Sequence, residues 1–164
     1  MPDKLTSLGF TDRFAQEATL NPDLHPARVI VQYKELYRVA TAESEMLAEI
    51  SEKMRHAAVD MSDYPAVGDF VMIDRNEGSQ DHAIIHHTLT RKSVFIRKAA
   101  GKAHDVQVVA ANIDIVFICM SLNNDFNLRR LERYLAIAWD SGATPVVVLT
   151  KADLCADIPE KLRE

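Results

Sequence analysis

The run Pro145 to Asp153, PVVVLTKAD, constrains the fold more than any other stretch. An unbroken aliphatic run from Val146 to Leu149 behind a proline, with Gly142 upstream, predicts a strand buried on both faces, as in parallel sheets. Upstream, Asn112 to Met120 (NIDIVFICM) reads as a second near-continuous apolar strand, with Cys119 as a small core residue. Between them Leu128, Leu131, Leu135 and Ala138 recur at helical spacing, and Arg129, Arg130, Glu132 and Arg133 fall on the other side. Asn123, Asn124 and Asp125 offer N-caps, Trp139 reads as a packing residue, and Ser141-Gly142 stops the helix. Strand, helix and strand in this order form a crossover long enough for parallel pairing, the opening of a doubly wound α/β domain. Leu154 to Arg163 suggests another helix, which Pro159 suits only near its start.

The aliphatic run ends in Thr150-Lys151-Ala152-Asp153. In an open parallel sheet, ligands bind just beyond the carboxyl ends of the strands. An ionised Asp153 offers two acceptor oxygens side by side, and guanine presents a ring N–H and an exocyclic amine in the same arrangement. Adenine cannot make that pair, so such a site discriminates by leaving polar groups unpaired. The stem of Lys151 can cover the base while its ammonium stays wet. Thr150 can brace the turn, though less fully than an Asn. The plain alternative is a turn with an exposed Lys and a helix-capping Asp.

The residues before Ala110 have a different texture. Met1 to Pro26 reads as a partly ordered extension, with a helical turn near Asp12 to Ala18. Val29 to Val31, Leu36 to Thr41, Met46 to Ser51, Phe70 to Ile73, Ala83 to Leu89, Val94 to Ile96 and Val106 to Val109 read as short strands. Glu52 to Ala58 fits either strand or helix. Short strands at this spacing, with turns such as Tyr64 to Asp69 between them, predict a five-stranded Greek-key barrel of the OB type. The expected organisation is an extension over 1–26, an OB barrel over 27–109 and the start of a doubly wound α/β domain over 110–164. Arg91, Lys92, Arg97, Lys98, Lys102 and His104 make a basic stretch without an intervening acid between Arg91 and Lys102. On an OB barrel such cations suit the phosphates of RNA, with Phe95 either a stacking platform or core. The other reading is a solvated hairpin that happens to be basic.

Composition narrows the function classes. A hydrophobic content of 48% and a charged content of 26% are those of a globular chain. A net charge of −5 argues against indiscriminate coating of nucleic acid. No apolar run reaches the ~18–20 residues of a membrane helix, and the N-terminus does not read as a signal peptide. Cys119 and Cys155 make no disulfide framework, so a reducing cytoplasm is expected. His82, His86 and His87 lie too far apart or on opposite faces of a strand to share an ion, and no metal site is expected. No nucleophile elbow such as GxSxG is present.

A nucleotide hydrolase also needs a phosphate cradle, usually GxxxxGK followed by Ser or Thr. The five glycines, at 9, 68, 78, 101 and 142, form neither that loop nor DxxG. The α/β part therefore reads as truncated, and no catalytic residue is assigned. The order of barrel, VAANIDIVF, DFNLRRLERYL and PVVVLTKADL resembles the circularly permuted ribosome-assembly GTPases of the RsgA/YjeQ type, over roughly Leu8 to Leu154. In that family the base-selecting motif precedes the phosphate loop and switches, and a small zinc-binding domain follows. The resemblance implies an OB barrel joined to the first βαβ part of a circularly permuted P-loop GTPase domain. It implies guanine recognition by Thr150, Lys151 and Asp153, and rRNA contact by Arg91, Lys92, Arg97, Lys98 and Lys102. It implies a cytoplasmic GTP hydrolase acting late in small-subunit maturation, with GTP or GDP, Mg2+ and structural zinc belonging to the longer protein. The present chain is then inactive in hydrolysis and binds none of these tightly. The expected partners are the small ribosomal subunit and its rRNA, not a membrane, with self-association through the exposed α/β segment as a further possibility. The alternative is a stand-alone nucleic-acid-binding or assembly module without GTPase activity.

Overall fold

The computed structural model describes residues 4–77, 82–98 and 106–163. They divide into two compact units, residues 1–112 and 113–164. In the first, β1 (His25–Gln32), β2 (Tyr37–Ala40), β3 (Glu45–Ile50), β4 (Phe70–Ile73) and β5 (Ala83–Thr88) close a barrel in the order β1-β2-β3-β5-β4. The β3–β5 pairing is parallel and the others are antiparallel. This is the expected five-stranded OB-type barrel.

Strand β4 explains how the unit is layered. Side chains alternate across a strand, yet all four residues of β4 are buried. Val71 and Ile73 join Val29, Val39, Ala48 and Ile85 inside the barrel. Phe70 and Met72 lie on the other face and pack with Leu5, Phe14 and Leu89. The N-terminal segment covers that face with α1 (Lys4–Ser7) and α2 (Asp12–Ala18). The ring centroids of Phe10 and Phe14 lie 5.2 and 4.6 Å from that of Phe70. Glu17 accepts from the Thr90 amide and hydroxyl, both at 2.9 Å. The arm expected to be partly ordered is thus a docked layer, because β4 is apolar on both faces and needs a second cover.

The ambiguous segment after β3 is the helix α3 (Glu52–Ala57), capped by Ser51, whose hydroxyl accepts from the Met54 amide at 3.2 Å. The last two predicted strands lie outside the barrel. β6 (Val94–Lys98) and β7 (Val106–Ala111) form their own antiparallel pair. The barrel is already closed by β1 against β4, so no edge is left for them. Gly68 fixes their docking. Its φ is +94°, and a Cβ there would lie 2.0 Å from the Ala111 carbonyl oxygen, so only glycine fits. Asn112, left-handed at φ 55°, donates to the Gly68 carbonyl at 3.1 Å and accepts from the Lys92 amide at 2.8 Å.

The second unit contains β8 (Ile115–Ser121), α4 (Leu128–Ser141), β9 (Thr144–Thr150) and the short α5 (Ile158–Lys161), with Pro159 in its first turn. β8 and β9 pair in parallel from Ile115 opposite Thr144 to Ser121 opposite Thr150. The cap of α4 is Asn127, later than expected, and it accepts from the Arg130 amide at 2.9 Å. Gly142 ends the helix at φ 87°. One helix covers one face of a two-stranded sheet. Ile118, Met120 and Ala138 are buried, while Phe117 is 67% exposed and Val147 38% exposed. Burial on both faces, expected for β9, is therefore not what these strands have. Cys119, expected in the core, alternates onto the open face and is exposed. Trp139, expected to pack, is 63% exposed on α4. No helix among the described residues is long and apolar enough to cross a membrane.

Candidate functional site

Thr150, Lys151 and Asp153 come together at the carboxyl end of β9, beside the carboxyl end of β8. The ladder runs one step past the strands, with the Leu122 amide donating to the Thr150 carbonyl at 2.9 Å. The Thr150 hydroxyl reaches the Met120 carbonyl only at 3.4 Å, a weak brace. Lys151 then takes a left-handed backbone, φ 55° and ψ 41°. That conformation costs a residue with a Cβ about 1–2 kcal/mol, and such outliers gather at ligand sites. It turns the chain out of the strand into a 3-10 turn over Ala152–Leu154, which carries Asp153. Lys151 and Asp153 are both exposed, so a ligand docking there would bury them. Sequence reasoning placed the tetrad but not the left-handed lysine, since nothing in a Lys codes for that conformation.

The β8–α4 loop adds groups that the sequence offered only as helix caps and as the polar side of α4. Asn123 accepts from the Ser121 hydroxyl at 2.9 Å and the Asp125 amide at 3.1 Å, which fixes the turn next to Thr150. Asp125 takes a hydrogen bond from Arg130 at 3.0 Å. That bond and the Arg130 charge hold its carboxyl below the ordinary range, with a weaker pull from Lys151. The polar rim at this end of the sheet therefore includes Asp125 and Arg130 as well as the tetrad.

The basic stretch divides. Arg91 does not reach outward. Its guanidinium grips Asp69, which is 0% exposed, with Nη2 at 2.8 Å and Nε at 2.9 Å from the carboxylate oxygens. It also donates to the Ser62 and Tyr64 carbonyls, each at 2.9 Å. Asp69 in turn accepts from the Ala66 amide at 2.8 Å. Arg91, expected among the RNA-contacting cations, is committed inside the fold as the counter-ion of a buried carboxylate. Lys92 and Arg97 are exposed, and Lys98 ends β6. Lys102 and His104 lie outside the described residues. Phe95 is half-buried opposite Ala110. His82, weighed and set aside as a ligand, pairs with Glu49 at 2.7 Å. Among the described residues no group of three metal-binding side chains assembles.

Comparison with known proteins gives this geometry a context. Residues 88–164 match the family model described as RsgA GTPase. The chain is 44% identical over 163 residues to the Small ribosomal subunit biogenesis GTPase RsgA 2 of Lactiplantibacillus plantarum, covering 99% of this chain and 46% of that protein. It is 41% identical over 152 residues to the Small ribosomal subunit biogenesis GTPase RsgA 1 of Oceanobacillus iheyensis, covering 91% of this chain and 43% of that protein. The chain thus spans under half the length of these relatives. Among solved structures it is similar in fold to YloQ, a circularly permuted GTPase, with a TM-score of 0.62, 16% identity and coverage of 85% of this chain and 45% of that one. The same holds for YjeQ from Thermotoga maritima, with a TM-score of 0.62, 21% identity and the same coverage. A barrel in OB order, a parallel β-α-β unit ending in Thr-Lys-Ala-Asp, and this identity along nearly the whole sequence lead to one conclusion: residues 88–164 carry an RsgA GTPase family domain, in a chain similar to RsgA proteins along nearly its whole length.

Proposed function

We propose that this chain is the RNA-anchoring and base-selecting portion of a cytoplasmic GTPase that assists maturation of the small ribosomal subunit. The observation that carries the reading is the exposed Thr150-Lys151-Ala152-Asp153 turn at the end of a parallel strand, in a chain 44% identical to a small-subunit biogenesis GTPase. Asp153 accepts the two guanine N–H groups, and Lys151 covers the base with its stem. GTP hydrolysis with Mg2+ would be carried by the part of the relatives' length that this chain does not span. A structural zinc, implied by the family resemblance alone, would belong there too. Self-association would use the open face of β8 and β9, where Phe117 and Cys119 are exposed. Nothing in the comparisons favours a stand-alone module.

The barrel unit supplies RNA contact through Lys92, just before β6, and through Arg97 and Lys98 within it, with Lys102 beside them in sequence, while Arg91 holds the fold. Converting Lys92 and Arg97 together to Glu is expected to weaken binding of small-subunit rRNA. The slope of log affinity against log salt should fall by about 1 for each phosphate that the variant no longer neutralises. Filter binding across a salt series measures it. An unchanged slope means that the hairpin is a solvated surface.

A further inference from the structure

The barrel unit carries a cleft that no role described above uses. It has a volume of about 220 Å³ and lies where the end of β1, the start of β2 and the end of β3 meet the α3 region. Tyr37, only 4% exposed, forms the floor with Ile50, and Tyr64 and Met61 form a wall. Gln32 lines it and hydrogen-bonds the Tyr37 hydroxyl. Burial, and then the neighbouring Tyr64, push that hydroxyl up from its ordinary range, so it stays a neutral donor. Lys34 and Arg55, both exposed, stand at the rim with one carboxylate, Glu35.

The wall is built in advance. Met61–Asp63 is a 3-10 turn closed by a capping box between Asp60 and Asp63. The Ser62 amide donates to Asp60 at 2.8 Å, and the Asp60 amide donates to Asp63 at 3.2 Å. Arg91 anchors the same segment from behind, through the Ser62 and Tyr64 carbonyls, and is itself held by buried Asp69. A rigid aromatic wall costs little ordering when a ligand binds.

We infer that this cleft between Tyr37 and Tyr64 accepts one unstacked base of a single-stranded RNA segment. The inference rests on the RNA-binding reading of the barrel. The Tyr64 ring beside an apolar floor suits the face of a base, and a glutamine amide and a phenol hydroxyl suit its polar edge. The β1–β2 loop, which supplies Lys34 and Glu35, is one of the loops with which OB barrels grip oligonucleotides. A free nucleoside triphosphate fits poorly, because two exposed cations without a backbone cradle track a polymer's phosphates better than they clasp three on one ligand.

The test uses the 164-residue chain and two fluorescent probes: a mixed-sequence RNA hexamer, and a hexamer of the same backbone with every base removed. Anisotropy titrations are expected to show the base-bearing hexamer binding about tenfold tighter. Tyr64→Ala should reduce that preference to about threefold or less and leave the abasic affinity within about twofold. Met61→Ser, at an exposed position, should act in the same direction and guards against misfolding of the first variant. If both probes bind the native chain equally, or if both variants keep the full preference, the base pocket is overturned while RNA binding by the barrel stands. If neither probe binds, the RNA reading of the barrel fails, and the pocket with it.

Discussion

Asp69→Ala is expected to destabilise the barrel unit by about 3–5 kcal/mol, because it leaves the Arg91 guanidinium inside the fold without its carboxylate. Asp69 is fully buried, and the Arg91 side chain is 20% exposed. The same substitution removes the acceptor of the Ala66 amide at 2.8 Å, in the turn that presents Gly68 to the Ala111 backbone. Urea unfolding followed by circular dichroism should show the midpoint falling by at least about 1 M. Arg97→Ala, at an exposed position, should stay within about 0.5 kcal/mol of the native chain. The only tryptophan, Trp139, lies in the other unit, so its emission reports that unit separately. Equal midpoints for Asp69→Ala and Arg97→Ala would mean that the buried pair does not hold the barrel.

Asp153→Asn should have the largest effect on ligand choice. In a protein of the relatives' full length carrying this sequence, it replaces a double acceptor by a group with one acceptor and one donor. One charge-assisted hydrogen bond to guanine, worth about 1.5–3 kcal/mol, is lost and the other becomes a weaker neutral bond, so GTP affinity should fall by about 10²-fold. Xanthine carries an oxygen where guanine carries the exocyclic amine, and the asparagine amide can donate to it. XTP should therefore gain relative to GTP. Titration with fluorescent GTP and XTP analogues measures both, and an unchanged ratio would remove Asp153 from base reading.

Both units were legible in sequence where a pattern had one physical reading. The apolar runs of β8 and β9 and the heptad-like leucines of α4 could pair and pack in only one way, and the barrel strands announced themselves by alternation and turns. Local chemistry misled where it depended on a distant partner. Arg91 looks like its basic neighbours until Asp69, 22 residues earlier, is placed beside it. The arm looks loose until Phe70 and Met72 turn out to need a cover on their outer face. Val94 to Lys98 and Val106 to Ala111 have strand composition, but composition does not say that the barrel is already closed without them. An exposed α/β segment was legible, but Cys119 on its open face was not, because an apolar strand declares what it can bury, not what is present to bury it.

Co-sedimentation of the 164-residue chain with purified ribosomal subunits measures whether it anchors to the small subunit. The chain is expected to pellet with small subunits and not with large ones near physiological salt, and to be released as the salt rises. A chain that stays in the supernatant, or that partitions equally onto both subunits, would contradict it.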